Sequence, residues 1–166
     1  MKVTDKKLAS LANSLGELLK TRGARIACAE SCTGGWISKT LTDVPGSSEW
    51  FELCYVVYAN DAKKEALGVT EGMLSQHGAV SRPVVVAMAK KIQQIAGSEF
   101  SVAVSGVAGP GGGTVEKPVG TVWFAYGSPE NIQTDCCRFD GDRESVRRQC
   151  VERALRQLFL IIVESN

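Results

Sequence analysis

Leu8, Leu11, Leu15 and Leu18 recur at helical spacing before Gly23 interrupts them, which predicts an amphipathic helix over residues 4–21. A short apolar run predicts a first strand over 25–29, and a second helical pattern covers 35–42. Pro45-Gly46 then breaks the chain, with Ser47-Ser48 opening a short turn. Phe51 to Tyr58 is apolar, aromatic and β-branched, so it reads as a strand buried on much of its surface. Asn60-Asp61 starts a short helix carrying Lys63 and Lys64, and Thr70 to His77 forms another, closed by Gly78. Ser81, with Pro83 in the first turn, opens a long helix whose buried stripe is Val85, Met88, Ala89, Ile92 and Ile95. Phe100 to Ser105 is a strand, residues 106–118 a glycine-rich loop, and 121–126 and 133–139 two strands joined by a turn at Ser128–Asn131. From Ser145 onward, Cys150, Ala154, Leu155, Leu158, Phe159 and Ile162 line one face of a last helix.

This order of elements predicts an α/β fold, three-layer α/β/α, with a mixed, mostly parallel sheet and an antiparallel hairpin at one edge. No repeat or linker interrupts it, so residues 1–166 are expected to form a single domain. Hydrophobic residues make up 44% and charged residues 22%, as in a soluble globular protein. Nineteen Lys and Arg against 18 Asp and Glu leave a net charge of +1 with no basic run, so no nucleic-acid partner is expected. No apolar stretch is long enough to span a bilayer, and Met1 to Asp5 lacks the apolar core of a secretory signal, so no membrane partner and a cytoplasmic location are expected. The six cysteines match no zinc spacing and His77 is the only histidine, so the expectation is reduced thiols, no metal and no cofactor.

Polar residues collect where strands end: the turn Ala29–Gly35, Pro45 to Ser48, Tyr58 to Lys63, and Ser105 to Gly113. Ligands of open α/β sheets sit where such loops converge. The Ser31 turn hands a strand to a helix; it could present a serine nucleophile, gather N–H groups around an anion, or serve only as a cap with glycines for tight packing. With one histidine, already suited to a helix C-terminus, a Ser-His-Asp arrangement is disfavoured and a Ser–Lys arrangement with a tyrosine relay remains. A lysine base would need its pKa lowered by roughly three units from about 10.4, or about 4 kcal/mol. Burial beside residues 53–58, or a neighbouring Arg143 or Arg147, could supply that; a solvated Lys63 is the alternative. Cys32 is a rival nucleophile without an evident activator. The glycines from Gly106 to Gly113 would let backbone N–H groups approach an oxyanion or phosphate, and Arg143 and Arg147, one helical turn apart, could clamp an anion.

Eight blocks occur in order: Glu30-Ser31-Cys32-Thr33-Gly34-Gly35, Pro45-Gly46-Ser47-Ser48, Tyr58-Ala59-Asn60-Asp61-Ala62-Lys63, Leu67-Gly68-Val69, His77-Gly78-Ala79-Val80-Ser81, Ser105-Gly106-Val107-Ala108-Gly109-Pro110, Lys117-Pro118-Val119-Gly120-Thr121-Val122 and Asp142-Arg143. Together they make the chain resemble the CinA C-terminal domain family, whose stand-alone members are nicotinamide-nucleotide amidohydrolases. The resemblance implies an α/β/α fold and metal-free Ser/Lys hydrolysis of the carboxamide of nicotinamide mononucleotide, feeding pyridine nucleotide recycling. It implies Ser31 or Ser48 as nucleophile, Lys63 as base and Tyr58 as proton relay. Substrate-binding positions would be Cys32, Thr33, Gly34, Gly35, Ser105, Gly106, Ala108, Gly109, Arg143 and Arg147. The partners expected are the small-molecule substrate and further copies of the chain in a homo-oligomer. Two positions depart from the family pattern: Gly111 replaces a polar residue, often Asp, and Ser105 stands where many members have threonine. A catalytically silent nucleotide-binding relative, or an enzyme for a different phosphorylated amide, are the alternatives.

Overall fold

The structure, a computed structural model, describes residues 3–165. Its elements in chain order are α1 (Asp5–Arg22), β1 (Ile26–Glu30), α2 (Trp36–Thr42), a 3-10 turn (Ser47–Glu49), β2 (Phe51–Val56), α3 (Asn60–Leu67), α4 (Glu71–His77), α5 (Arg82–Ala96), β3 (Phe100–Gly106), β4 (Thr121–Gly127), β5 (Ile132–Arg138) and α6 (Arg143–Glu164). Helix ends follow the local signals. The Thr4 and Thr70 hydroxyls accept from the Lys7 and Met73 amides, and Asp142 does the same for Ser145, so α6 starts two residues earlier than its apolar stripe suggests. Ser81 behaves differently: its hydroxyl donates back to the Gly78 carbonyl at 2.8 Å instead of capping α5.

The five strands form one sheet in the order β2-β1-β3-β4-β5. β1 pairs in parallel with both β2 and β3, while β4 runs antiparallel to β3 and β5 to β4. The sheet is therefore mixed, with four strands pointing one way and the pairings divided evenly between parallel and antiparallel. Its two faces differ in side-chain size. Ile26, Cys28, Val102, Val104, Phe124 and Tyr126 fill the layer beneath α1, α2 and α6. Ala27, Ala29, Ala103 and Ala125 lie on the other face, where small side chains let α5 sit close to the sheet.

Strand order corrects one expectation. β2 is not buried on much of its surface: it is an edge strand, with Tyr55 36% and Val56 49% exposed. An apolar run alone does not distinguish an edge from a centre, because that depends on which strands come to lie beside it. The interior strands β1 and β3 are buried almost throughout.

Candidate active site

A cavity of about 310 Å³ opens at the carboxyl ends of β1, β2 and β3. Such a position is the usual ligand site of an open α/β sheet, and the volume lies at the lower end of the range for small-molecule pockets. The turn after β1 delivers Ser31 and Cys32, the β2–α3 connection delivers Tyr58, the first turn of α3 delivers Asn60 and Lys63, and the end of β3 delivers Ser105 and the glycine-rich loop. Ala79 and Val80 close one side and Arg143 another.

Lys63 is the decisive side chain. It is 1% exposed, and its Nζ donates to the Val57 carbonyl at 2.9 Å and the Tyr58 carbonyl at 3.0 Å. No carboxylate among the described residues neutralises it there. Burial pushes its pKa below the ordinary lysine value, a shift partly opposed by the nearby Cys32. A neutral amine has two hydrogens and one lone pair; the two carbonyls account for the hydrogens and leave the lone pair to accept a proton. Ser31 and Ser105 are nearly buried in the same cavity, and neither hydroxyl has a hydrogen-bond partner among the described residues. Tyr58, 58% exposed, stands at the rim, where its hydroxyl accepts from Arg143 Nη2 at 2.7 Å. Arg143 Nη1 meanwhile donates to the Gly109 carbonyl at 2.8 Å, tying the glycine loop to the same arginine.

The Ser31 turn is held from both sides. Glu30, fully buried, accepts the Gly35, Ile37 and Ser38 amides at 3.0, 3.1 and 2.8 Å. The chain's own carboxylate thus occupies the amino end of α2, so that helix end is not free to hold a substrate phosphate. Gly34 and Gly35 have φ of 60° and 93°, a backbone region that L side chains resist, and this is why the turn needs both glycines. On the outer side Arg147 donates to the Cys32 carbonyl at 3.0 Å and the Thr33 carbonyl at 2.9 Å while lying over the Trp36 ring.

Residues 8–162 match the CinA C-terminal domain. The chain belongs to that family. It is 51% identical over 159 residues to the nicotinamide-nucleotide amidohydrolase PncC of Escherichia coli strain K12, covering 95% of this chain and 96% of that protein. A protein of the same name from Pseudomonas putida is also 51% identical, over 157 residues, covering 95% of this chain and 98% of that one. Among solved structures, the competence damage-inducible protein A of Klebsiella pneumoniae superimposes with a TM-score of 0.93 at 34% identity, covering 96% of this chain and 99% of that one.

In this CinA domain the expected site residues divide into three groups. Ser31, Tyr58, Lys63, Cys32, Ser105, Gly106, Ala108, Gly109 and Arg143 line the cavity. Thr33, Gly34, Gly35 and Arg147 are not in its lining; they shape the turn behind it, with the Arg147 guanidinium donating to two carbonyls where an anion clamp was expected. Ser48 is elsewhere. It lies in the 3-10 turn before β2, its carbonyl accepting from Arg25 Nη2 at 3.2 Å, at the opposite end of the sheet from Ser31. The length of β1 separates them, roughly 17–20 Å at ~3.3 Å per residue. The residue that sequence reasoning left without a role is Glu30. Its signal was a carboxylate ending an apolar strand just before a double glycine, where helix amides need an acceptor.

The cysteines are free thiols, and burial raises the pKa of Cys54 to about 12. No helix among the described residues is long and apolar enough to cross a membrane.

Proposed function

We propose that this protein hydrolyses the carboxamide of nicotinamide mononucleotide to nicotinic acid mononucleotide and ammonia, by a Ser/Lys mechanism that uses Ser31 and Lys63. The observation that carries the reading is a buried, carboxylate-free lysine sharing one cavity with an unpartnered serine hydroxyl. The names and high identity of the PncC relatives support the substrate. Ser31 Oγ attacks the carboxamide carbon as Lys63 Nζ takes its proton. The Ala108 and Gly109 amides, which have no acceptor among the described residues, are donors available to the oxyanion. On collapse the C–N bond breaks, and the Lys63 proton leaves with the nitrogen as ammonia. Water then attacks the acyl-serine, giving one proton to Lys63; Lys63 returns it to Ser31 Oγ as the acyl C–O bond breaks, and the acid product gives its remaining proton to solvent to become the carboxylate. Tyr58, held by Arg143, orders the rim and assists proton transfer. The reaction would serve pyridine nucleotide recycling in the cytoplasm.

Purified protein incubated with nicotinamide mononucleotide should release one ammonia per nicotinic acid mononucleotide formed. Tight nucleotide binding without ammonia would instead select a silent binding relative, a reading kept in view by Gly111 in the cavity wall. Turnover of the riboside or of NAD in preference to the mononucleotide would reassign the substrate.

A further inference from the structure

Two sequence blocks have no part in the chemistry above, the segment from His77 to Ser81 and the segment from Lys117 to Val122, and the structure joins them. The chain between β3 and β4 forms a strap closed at its base, where the Val107 amide donates to the Thr121 carbonyl at 2.9 Å and the Gly120 amide to the Val107 carbonyl at 2.8 Å. Its far turn is closed by two bonds of 3.0 Å, from the Thr114 amide to the Lys117 carbonyl and from the Lys117 amide to the Thr114 hydroxyl. Between base and tip the strap folds tightly on Val119: a Cβ added at Gly109 would stand 2.5 Å from Val119 Cγ1, and one at Gly113 2.8 Å from the Val119 amide nitrogen. Strap and tip therefore pack as one body that includes Lys117.

The Lys117 ammonium reaches across to donate to the carbonyl of His77, the last residue of α4, and a Cβ at Gly78 would lie 3.4 Å from the same nitrogen. A helix end presents carbonyls without intrahelical partners, so a cation is favoured there. The two bodies it ties together both line the cavity: Gly109, Gly111 and Gly112 from the strap, Ala79 and Val80 from the α4–α5 corner. We propose that Lys117 is a positioning residue, a latch that holds the glycine strap against the α4–α5 corner and sets the width of the pocket for its ligand. This rests on the proposed amidohydrolase reading. Lys117 touches no reacting group and serves binding, not the chemical step.

The test compares Lys117→Met and Lys117→Arg with the parent protein, using nicotinamide mononucleotide. Lys117→Met should raise KM roughly fivefold, as expected for one lost charge-assisted hydrogen bond near the surface, and leave kcat within about twofold. Lys117→Arg, which keeps the donor and the charge, should restore KM. A fall in kcat at unchanged KM, or an arginine variant no better than methionine, would overturn the latch. Amide hydrogen exchange on the ligand-free proteins gives a readout independent of turnover. Exchange should quicken in both 107–119 and 78–81 in Lys117→Met alone; unchanged exchange in either segment would overturn the proposal. A parent protein that releases no ammonia would count against the amidohydrolase reading and leave the exchange result to decide the latch.

Discussion

Glu30→Gln is the most informative perturbation of the scaffold, because glutamine keeps the shape of the side chain and changes only its charge and one acceptor. Glu30 Oε2 serves the Gly35 and Ile37 amides, and Oε1 serves the Ser38 amide at 2.8 Å and the Cys54 thiol at 3.5 Å. The least damaging placement of glutamine puts its oxygen on the pair of amides. Its NH2 then faces the Ser38 N–H, donor against donor, in a position with no access to water. Losing one hydrogen bond to a charged group costs about 1.5–3 kcal/mol. Losing the negative charge at the amino end of α2 costs up to about 2 kcal/mol more, and relief of the desolvation of a buried carboxylate offsets part of the total. The net is about 2–4 kcal/mol, or roughly 5–15 °C in Tm for a chain of this size. Urea unfolding followed by circular dichroism measures the first quantity and a thermal scan the second. Because Glu30 precedes Ser31, kcat should fall with the stability while KM changes less. A variant within about 0.5 kcal/mol of the parent would refute the idea that these amides depend on the carboxylate.

Two further outcomes are expected. Lys63 must be neutral to accept a proton and its pKa is depressed by burial, so kcat/KM should rise with pH along one limb whose midpoint lies below the ordinary lysine value. A steady-state pH profile that falls over the same range would contradict a lysine base. Gly16→Ala should destabilise by about 1–3 kcal/mol despite the better helix propensity of alanine, since the added methyl would stand 2.7 Å from Trp50 Cζ2 on a tryptophan only 3% exposed; chemical denaturation would read it.

The helices were legible because their periods and ends are local. Leu8, Leu15 and Thr4 announce α1, and Ser81-Arg82-Pro83 announces α5, within a few residues of where each begins. What local pattern cannot carry is adjacency. Phe51 to Val56 looks like a buried strand, and only the order of the sheet makes it an edge. The same gap explains Ser48, which belongs to a polar loop beside an apolar strand but at the amino end of that strand, whereas ligands collect at the carboxyl end. Arg147 could be read as an anion clamp because its partners, the Cys32 and Thr33 carbonyls, are more than a hundred residues away in the chain. Ser31, Tyr58, Lys63 and Ser105 were found together because each lies at or shortly after the carboxyl end of a strand of the parallel half of the sheet, where chain order and spatial convergence agree.

The most direct measurement compares ammonia release from nicotinamide mononucleotide by Ser31→Ala and Ser48→Ala at equal, verified folding. With Ser31 lining the same cavity as a buried lysine and Ser48 a strand length away, the expected result is loss of about a thousandfold or more in kcat for Ser31→Ala and near-parental turnover for Ser48→Ala. Full activity in Ser31→Ala, or its loss in Ser48→Ala alone, would contradict it.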